Sequence, residues 1–200
     1  LRVARSPGAV FTLGESGVVS RSGYEFRGLA FQGSSANDDC AVRLCRTSSN
    51  VRFLSNTCVR ASFSASDNTS DVSTNLLLQG NRMLAGSAFD FRGDTDVRIV
   101  DNLLLTGSRT SINLRYLGAR FHIEGNIIEA ADGISSQSYR DVRVARNRIR
   151  ASYRAAIYAD NYPDNWTICN NVFHDVTGSD PTLPDGVGVA FRVKSNPALT

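Results

Sequence analysis

Lysine is almost missing from this chain: of its 22 basic residues, only Lys194 is a lysine. Arginine carries the positive charge instead. GC-rich coding alone can produce that bias, but a guanidinium fork also suits carboxylate or sulfate recognition. The formal net charge of +3 is too mild to mark a nucleic-acid binder. No apolar run is long enough to cross a bilayer as a helix, which excludes a helical membrane span. The four cysteines (Cys40, Cys45, Cys58 and Cys169) include no CxxC pair and do not have the spacing of a zinc site. Neither an initiating methionine nor a signal-peptide pattern stands at Leu1, so the sequence reads as a mature chain or an excised domain, part of a longer chain. What remains is ordinary: 200 residues, 42% of them hydrophobic and 20% charged, suit one globular domain with a single core.

What the chain does have is a repeat. The eight-residue unit VRFLSNTC at Val51 returns as LLLQGNRM at Leu76, VRIVDNLL at Val97, FHIEGNII at Phe121, VRVARNRI at Val142 and WTICNNVF at Trp166. Each has apolar residues at its first, third and last places and asparagine at its sixth, and the starts are 25, 21, 24, 21 and 24 residues apart. YEFRGLAF at Tyr24 keeps the apolar places but has Leu29 for the asparagine, as a terminal coil would. A second motif falls between the units: AVRL, AFDF, SINL, GISS, AIYA and GVAF. Neither LxxLxL nor helical spacing appears. At about 3.3 Å per residue, one period makes three short strands and their turns. Such a unit cannot bury its apolar face alone, so it must stack on copies of itself.

The repeat resembles the right-handed parallel β-helix of pectate lyases, polygalacturonases, alginate epimerases and phage tailspikes, the pectin lyase-like superfamily. The resemblance implies an all-β solenoid over residues 1–200, about seven coils of three strands. In that fold the strand before the asparagine is the second of each coil. Asn56, Asn81, Asn102, Asn126, Asn147 and Asn171 then form a ladder at a tight corner, where asparagine tolerates the dihedrals and offers both donor and acceptor. Phe53, Ile99, Ile123, Val144 and Ile168, the third places, stack inside.

Alternation assigns the outer faces. The first strand turns Arg43, Ser64, Asp90, Asn113, Ser135, Tyr158 and Ala190 outward. Two residues further on come Cys45, Ser66, Arg92, Arg115, Gln137, Asp160 and Arg192, with Tyr116, Tyr139 and Tyr162 just beyond. In the resembling enzymes this strand floors the substrate groove. The candidate substrate-binding residues are therefore Arg43, Asn113, Arg115, Tyr116, Tyr139, Tyr158, Asp160 and Tyr162, facing an acidic polysaccharide. An ordinary solvated strand face is the competing reading. The second strand presents Arg52, Leu77, Arg98, His122, Arg143 and Thr167, read as solvated. The third presents Leu84, Leu103, Leu105, Ile127 and Val172, an aliphatic face suited to a neighbouring domain or a homotrimer. His122 and His174 fall away from the groove.

NDDCAVRLCRTSSNVRFLSNTC, from Asn37 to Cys58, resembles the polygalacturonase segment in which paired aspartates open a first strand. Asp38 and Asp39 match two of that family's catalytic acids, and Asp90 with Arg92 joins them as the candidate catalytic set. The rest of the pattern departs: GESGVV replaces the NTDG-type motif, RASF the glycine–histidine and FDFR the arginine–x–lysine. The same resemblance implies a Cys40–Cys58 disulfide and with it a secreted or periplasmic setting, against two buried thiols acting as small hydrophobes. No cofactor is expected, with weak calcium binding at Asp90, Asp94 and Asp96 the exception. Three readings stand: a polysaccharide hydrolase or lyase (Arg115 with Tyr116 as cation and base), a non-catalytic glycan-binding or adhesin domain, and a tailspike-type structural coil.

Overall fold

The computed structural model describes residues 2–4, 10–12, 18–19, 22–33, 40–44, 48–65, 72–107, 110–177 and 187–193. Among these residues there is no helix, and the strands form three parallel eight-stranded sheets. The first sheet runs Val18–Val19, Cys40–Leu44, Ser62–Ala65, Phe89–Arg92, Thr110–Arg115, Asp132–Gln137, Ile157–Asn161, Val189–Val193. The second runs Arg2–Ala4, Glu25–Arg27, Ser49–Leu54, Thr74–Gln79, Thr95–Val100, Gly118–Glu124, Tyr139–Ala145, Asp164–Cys169. The third runs Val10–Thr12, Ala30–Gln32, Thr57–Val59, Arg82–Leu84, Leu103–Leu105, Ile127–Ala130, Arg148–Ala151, Val172–Phe173. The chain visits the walls in rotation, so every strand pairs with the strands of the coils before and after it. This is a parallel β-helix.

Each wall has eight strands among the described residues, one more than the seven coils expected. The extra rung precedes Tyr24, so Leu29 does not lie in the terminal coil. Its sequence, RVARSPGAV, has no asparagine to mark it.

The interior follows the alternation. Phe53, Leu78, Ile99, Ile123, Val144 and Ile168 are register partners from rung to rung, all fully buried except the half-buried Ile168. The first sheet adds Phe89, Phe91, Ile112, Leu114, Ile157 and Ala159, also fully buried. Phe53, Phe63, Phe91, Phe121 and Tyr139 climb the core as a staircase of rings, with neighbouring centroids 5.1–6.3 Å apart. Edge-on and tilted contacts at these distances add to the apolar burial.

The asparagine ladder is continuous. The backbone N–H of Asn56 donates to Oδ1 of Asn81, and so on through Asn102, Asn126 and Asn147 to Asn171, at 2.9–3.0 Å. Each Nδ2 from Asn56 to Asn147 also donates to the next Oδ1, and reaches back to a main-chain oxygen of the preceding coil, such as Ile99 for Asn126. The corner itself differs from expectation. The left-handed backbone falls one residue earlier, on Ser55, Gly80, Asp101, Gly125, Arg146 and Asn170, with φ between 53° and 68°. Left-handed φ costs a non-glycine residue about 1–2 kcal/mol. The asparagine works through its side chain, and its bonds hold the strained residue beside it.

A second left-handed column opens the second sheet: Asn50, Asn75, Asp96, Arg120, Asp141 and Asn165. Asparagine and aspartate tolerate this region best, and their side chains link rung to rung in solvent. Asn75 donates to Asn50, Asn165 to Asp141, and Arg120 clamps Asp96 with two bonds of 2.6 and 2.7 Å.

One close approach depends on a missing side chain. A Cβ on Gly118 would lie 2.2 Å from the Tyr139 ring and 2.6 Å from the Asp94 carbonyl oxygen. Both neighbours are packed on all sides and cannot retreat. Gly118→Ala should therefore destabilise the fold by about 1–3 kcal/mol, the usual cost of overpacking. A thermal melt measures this, and an unchanged midpoint would mean the ring has another place to go.

Candidate functional site

The outer face of the first sheet carries the expected columns in register. Arg43, Ser64, Asp90, Asn113, Ser135, Tyr158 and Ala190 follow one another from rung to rung. Arg92 pairs with Arg115 and, higher up, Gln137 with Asp160 and Asp160 with Arg192. Asp38 and Asp39, like Cys45 and Ser66, lie outside the described residues.

Asp90 is the electrostatic centre of this face. Its Oδ2 is 3.5 Å from Nε of Arg92 on the same strand, and its Oδ1 is 3.2 Å from Nε of Arg115 one rung on. Arginines on adjacent rungs repel unless a carboxylate intervenes, and Asp90 supplies it. Burial pushes its carboxyl above the usual range, while Arg115, Arg92 and Arg43 pull it back. Of the three side chains in this bridge, that of Arg115 is the most open to solvent.

Beyond the strand ends lies a cleft of 490 Å³ lined by Gly93, Tyr116, Leu117, Gln137, Ser138, Asn161 and Tyr162. Tyr116 is 48% exposed and Tyr162 is 42% exposed. The backbone turns left-handed at Tyr116, Ser138 and Asn161, which swings these residues out of the sheet. A smaller cleft of 270 Å³ adjoins it around Thr95, Gly118, Ala119 and Arg140, sharing Leu117 and Ser138. Leu117, 76% exposed between the two, was not anticipated. Its signal is a turn one residue longer than that of the next coil.

Two tyrosines are not where a groove needs them. Tyr139 is fully buried. It begins the second-sheet strand opposite Gly118, because only Ser138 separates it from the first sheet in that coil. Its ring packs edge-on against Phe121 at 5.1 Å, and its hydroxyl accepts the Gly93 N–H at 3.0 Å. Burial pushes that hydroxyl far above the ordinary tyrosine range. Tyr139 is a core residue and not a sugar contact. Tyr158 does occupy the outward column, but the Arg154 guanidinium lies 4.5 Å above its ring and leaves it 6% exposed. Arg154 is anchored there by Asp132 at 2.9 Å. Tyr158 is thus covered, and a ligand would meet Arg154 first.

The other expectations fare unevenly. Cys58 carries a free thiol, fully buried, with Phe31 and Met83 as its register partners. The Cys40–Cys58 disulfide is therefore absent and takes with it the argument for an oxidising compartment. Asp90, Asp94 and Asp96 do not converge on a cation. Asp90 faces the arginines, Asp94 is buried and accepts the Ser73 and Arg92 N–H groups, and Asp96 is clamped by Arg120. Among the described residues, no group of three His, Cys, Asp or Glu side chains could hold a metal ion. On the third sheet, Leu84, Leu103, Leu105 and Ile127 are contiguous, but Arg148 separates Val172 from them. His174 is on that side, accepting from Arg148 Nε at 3.1 Å.

Comparison with known proteins finds no matching family model, no matching curated protein and no matching solved structure.

Proposed function

We propose that this chain binds an acidic polysaccharide along the outer face of its first sheet, in the manner of the pectin lyase-like β-helices it resembles. The observation that carries the reading is the juxtaposition of the Arg92–Asp90–Arg115 bridge with the Tyr116–Tyr162 cleft. Tyrosine rings offer flat apolar faces to the C–H side of a sugar, and Gln137, Ser138 and Asn161 offer donors and acceptors to its hydroxyls. Arg115 spends its Nε on Asp90, and a guanidinium has further N–H groups for a uronate or sulfate. The same proposal places the protein outside the cytoplasm, where such polymers are met, and leaves the aliphatic patch on the third sheet for a flanking domain or further copies of the chain.

Turnover at this face would take one of two forms. Inverting hydrolysis needs two carboxyl groups roughly 6.5–9.5 Å apart. Asp160, three rungs from Asp90, is about 14 Å away at the usual strand spacing, too far to be its partner acid. Elimination needs a cation against the sugar carboxylate and a neighbouring base, and Arg115 with Tyr116 supplies both on one strand end.

The test is binding of acidic oligosaccharides by titration calorimetry. Arg115→Ala should weaken it about tenfold, the worth of one charge-assisted contact, and leave the melting midpoint nearly unchanged because the side chain is exposed. Unaltered affinity would remove the first-sheet site. Ultraviolet absorbance of an unsaturated product, or new reducing ends without it, would separate elimination from hydrolysis, and neither would appear in a pure binding domain.

A further inference from the structure

The second sheet holds a different array. Arg98, His122 and Arg143 occupy one outward column on three consecutive rungs, register partners one to the next. Arg98 and His122 are exposed and Arg143 is half-buried. Among the described residues, none of the three side chains has a hydrogen-bond or ion-pair partner. Arg140, exposed at the entry of the same sheet, is equally unpartnered.

That contrasts with the arginines around them. Arg120 is spent on Asp96 and Arg146 on Glu124, so the carboxylates that could neutralise the column are already engaged. Asp101, Asp141 and Asp164 stand at the strand ends of this face, outside the column, and Asp141 accepts from Asn165. Adjacent rungs are about 4.8 Å apart, so Arg98 and Arg143, two rungs apart, stand about 10 Å from each other with His122 between them. The face therefore presents two arginines with an imidazole between them on successive rungs, and no carboxylate lies in the column between them.

A row of this kind selects its partner by geometry. A small anion would engage one arginine and leave the other without a partner. A linear polymer lying along the solenoid axis would meet Arg98, His122 and Arg143 on successive rungs, and an acidic sugar unit is about as long as one rung spacing. Duplex DNA instead places a charge every ~1.7 Å of its axis. Single strands are held by aromatic platforms, and the flanking members of this column, Arg52, Leu77 and Thr167, offer none. We infer that the outer face of the second sheet is a track for a linear anionic glycan, sulfated or carboxylated, running across Arg98, His122 and Arg143. It uses another wall and other residues than the first-sheet site, so either can stand without the other.

Heparin is the probe, titrated against the full chain carrying Arg115→Ala so that the first sheet does not contribute. Adding Arg98→Gln with Arg143→Gln should weaken binding about tenfold and lower the salt dependence by about two ions. The control is Arg60→Gln with Arg82→Gln, which removes the same charge from two other exposed, unpartnered arginines and should change affinity less than twofold. Equal losses in both pairs, or no heparin binding at all, overturn the inference. So does tighter binding of a single-stranded oligodeoxynucleotide of matched charge that is lost with Arg98 and Arg143, which would make the face a nucleic-acid surface. Circular dichroism confirms that each variant is folded.

Discussion

Ile123→Asp should abolish cooperative unfolding. Ile123 is fully buried, with Ile99 below and Val144 above it as register partners in the central column of the second sheet. An aspartate there loses the packing of a large aliphatic side chain, about 2–5 kcal/mol. It also buries a carboxyl with no partner, which costs several kcal/mol more whether the group stays charged or takes up a proton. The sum rivals the whole stability of an ordinary domain, roughly 5–15 kcal/mol. Ile127→Asp, four residues along, provides the contrast, because Ile127 is 47% exposed on the outer face of the third sheet. Circular dichroism melts should show no sharp transition for the first variant and a nearly native one for the second. If Ile123→Asp melted like the parent chain, the inward column would be misassigned.

Asn126→Ala should be the most damaging loss of a single polar side chain. Removing it leaves the Asn102 backbone N–H without its acceptor and the Ile99 carbonyl without the amide that donates to it, while Asn102 Nδ2 keeps the Leu78 and Val100 carbonyls. Each buried group left unsatisfied costs about 1–3 kcal/mol, so two of them give an expected loss of roughly 2–6 kcal/mol. The left-handed Gly125 beside it also loses the brace that holds the corner. Asn171→Ala should cost much less, because that rung is half-buried and water can replace the missing amide. Denaturant titrations of the two variants give the comparison. Equal costs would mean the ladder is not what stabilises the corner.

The repeat carried most of the fold because a period-two pattern with a fixed asparagine leaves little freedom of register. Once Val51, Phe53 and Asn56 are aligned with Leu76, Leu78 and Asn81, every inward and outward column follows, including the Arg92–Arg115 pair with Asp90 between them. What alternation cannot show is the length of a turn. Tyr116 lies one residue and Tyr139 two residues past the end of its first-sheet strand, and two residues form the first turn but only one the second. One tyrosine therefore reaches solvent and the other enters the core. Tyr158 failed for another reason: Arg154, which covers it, belongs to the turn after the third sheet, and its aim depends on Asp132 from the coil below. The free thiol of Cys58 shows the limit of a local likeness, since sharing a spacing with a disulfide does not join two walls of the solenoid.

The ladder also has a direction. From Asn56 to Asn147, each amide oxygen accepts from the N-terminal side, and each Nδ2 donates one hydrogen to the amide oxygen of the C-terminal rung. The dipoles align, and each bond polarises the next. At its lower end the series closes on the main-chain N–H of Leu29, which any residue but proline could provide. At Asn171 an extension would need another side-chain oxygen at one particular place. The two ends of the ladder are therefore not interchangeable: the N-terminal end closes on any main-chain N–H, whereas growth past Asn171 would demand one particular kind of side chain.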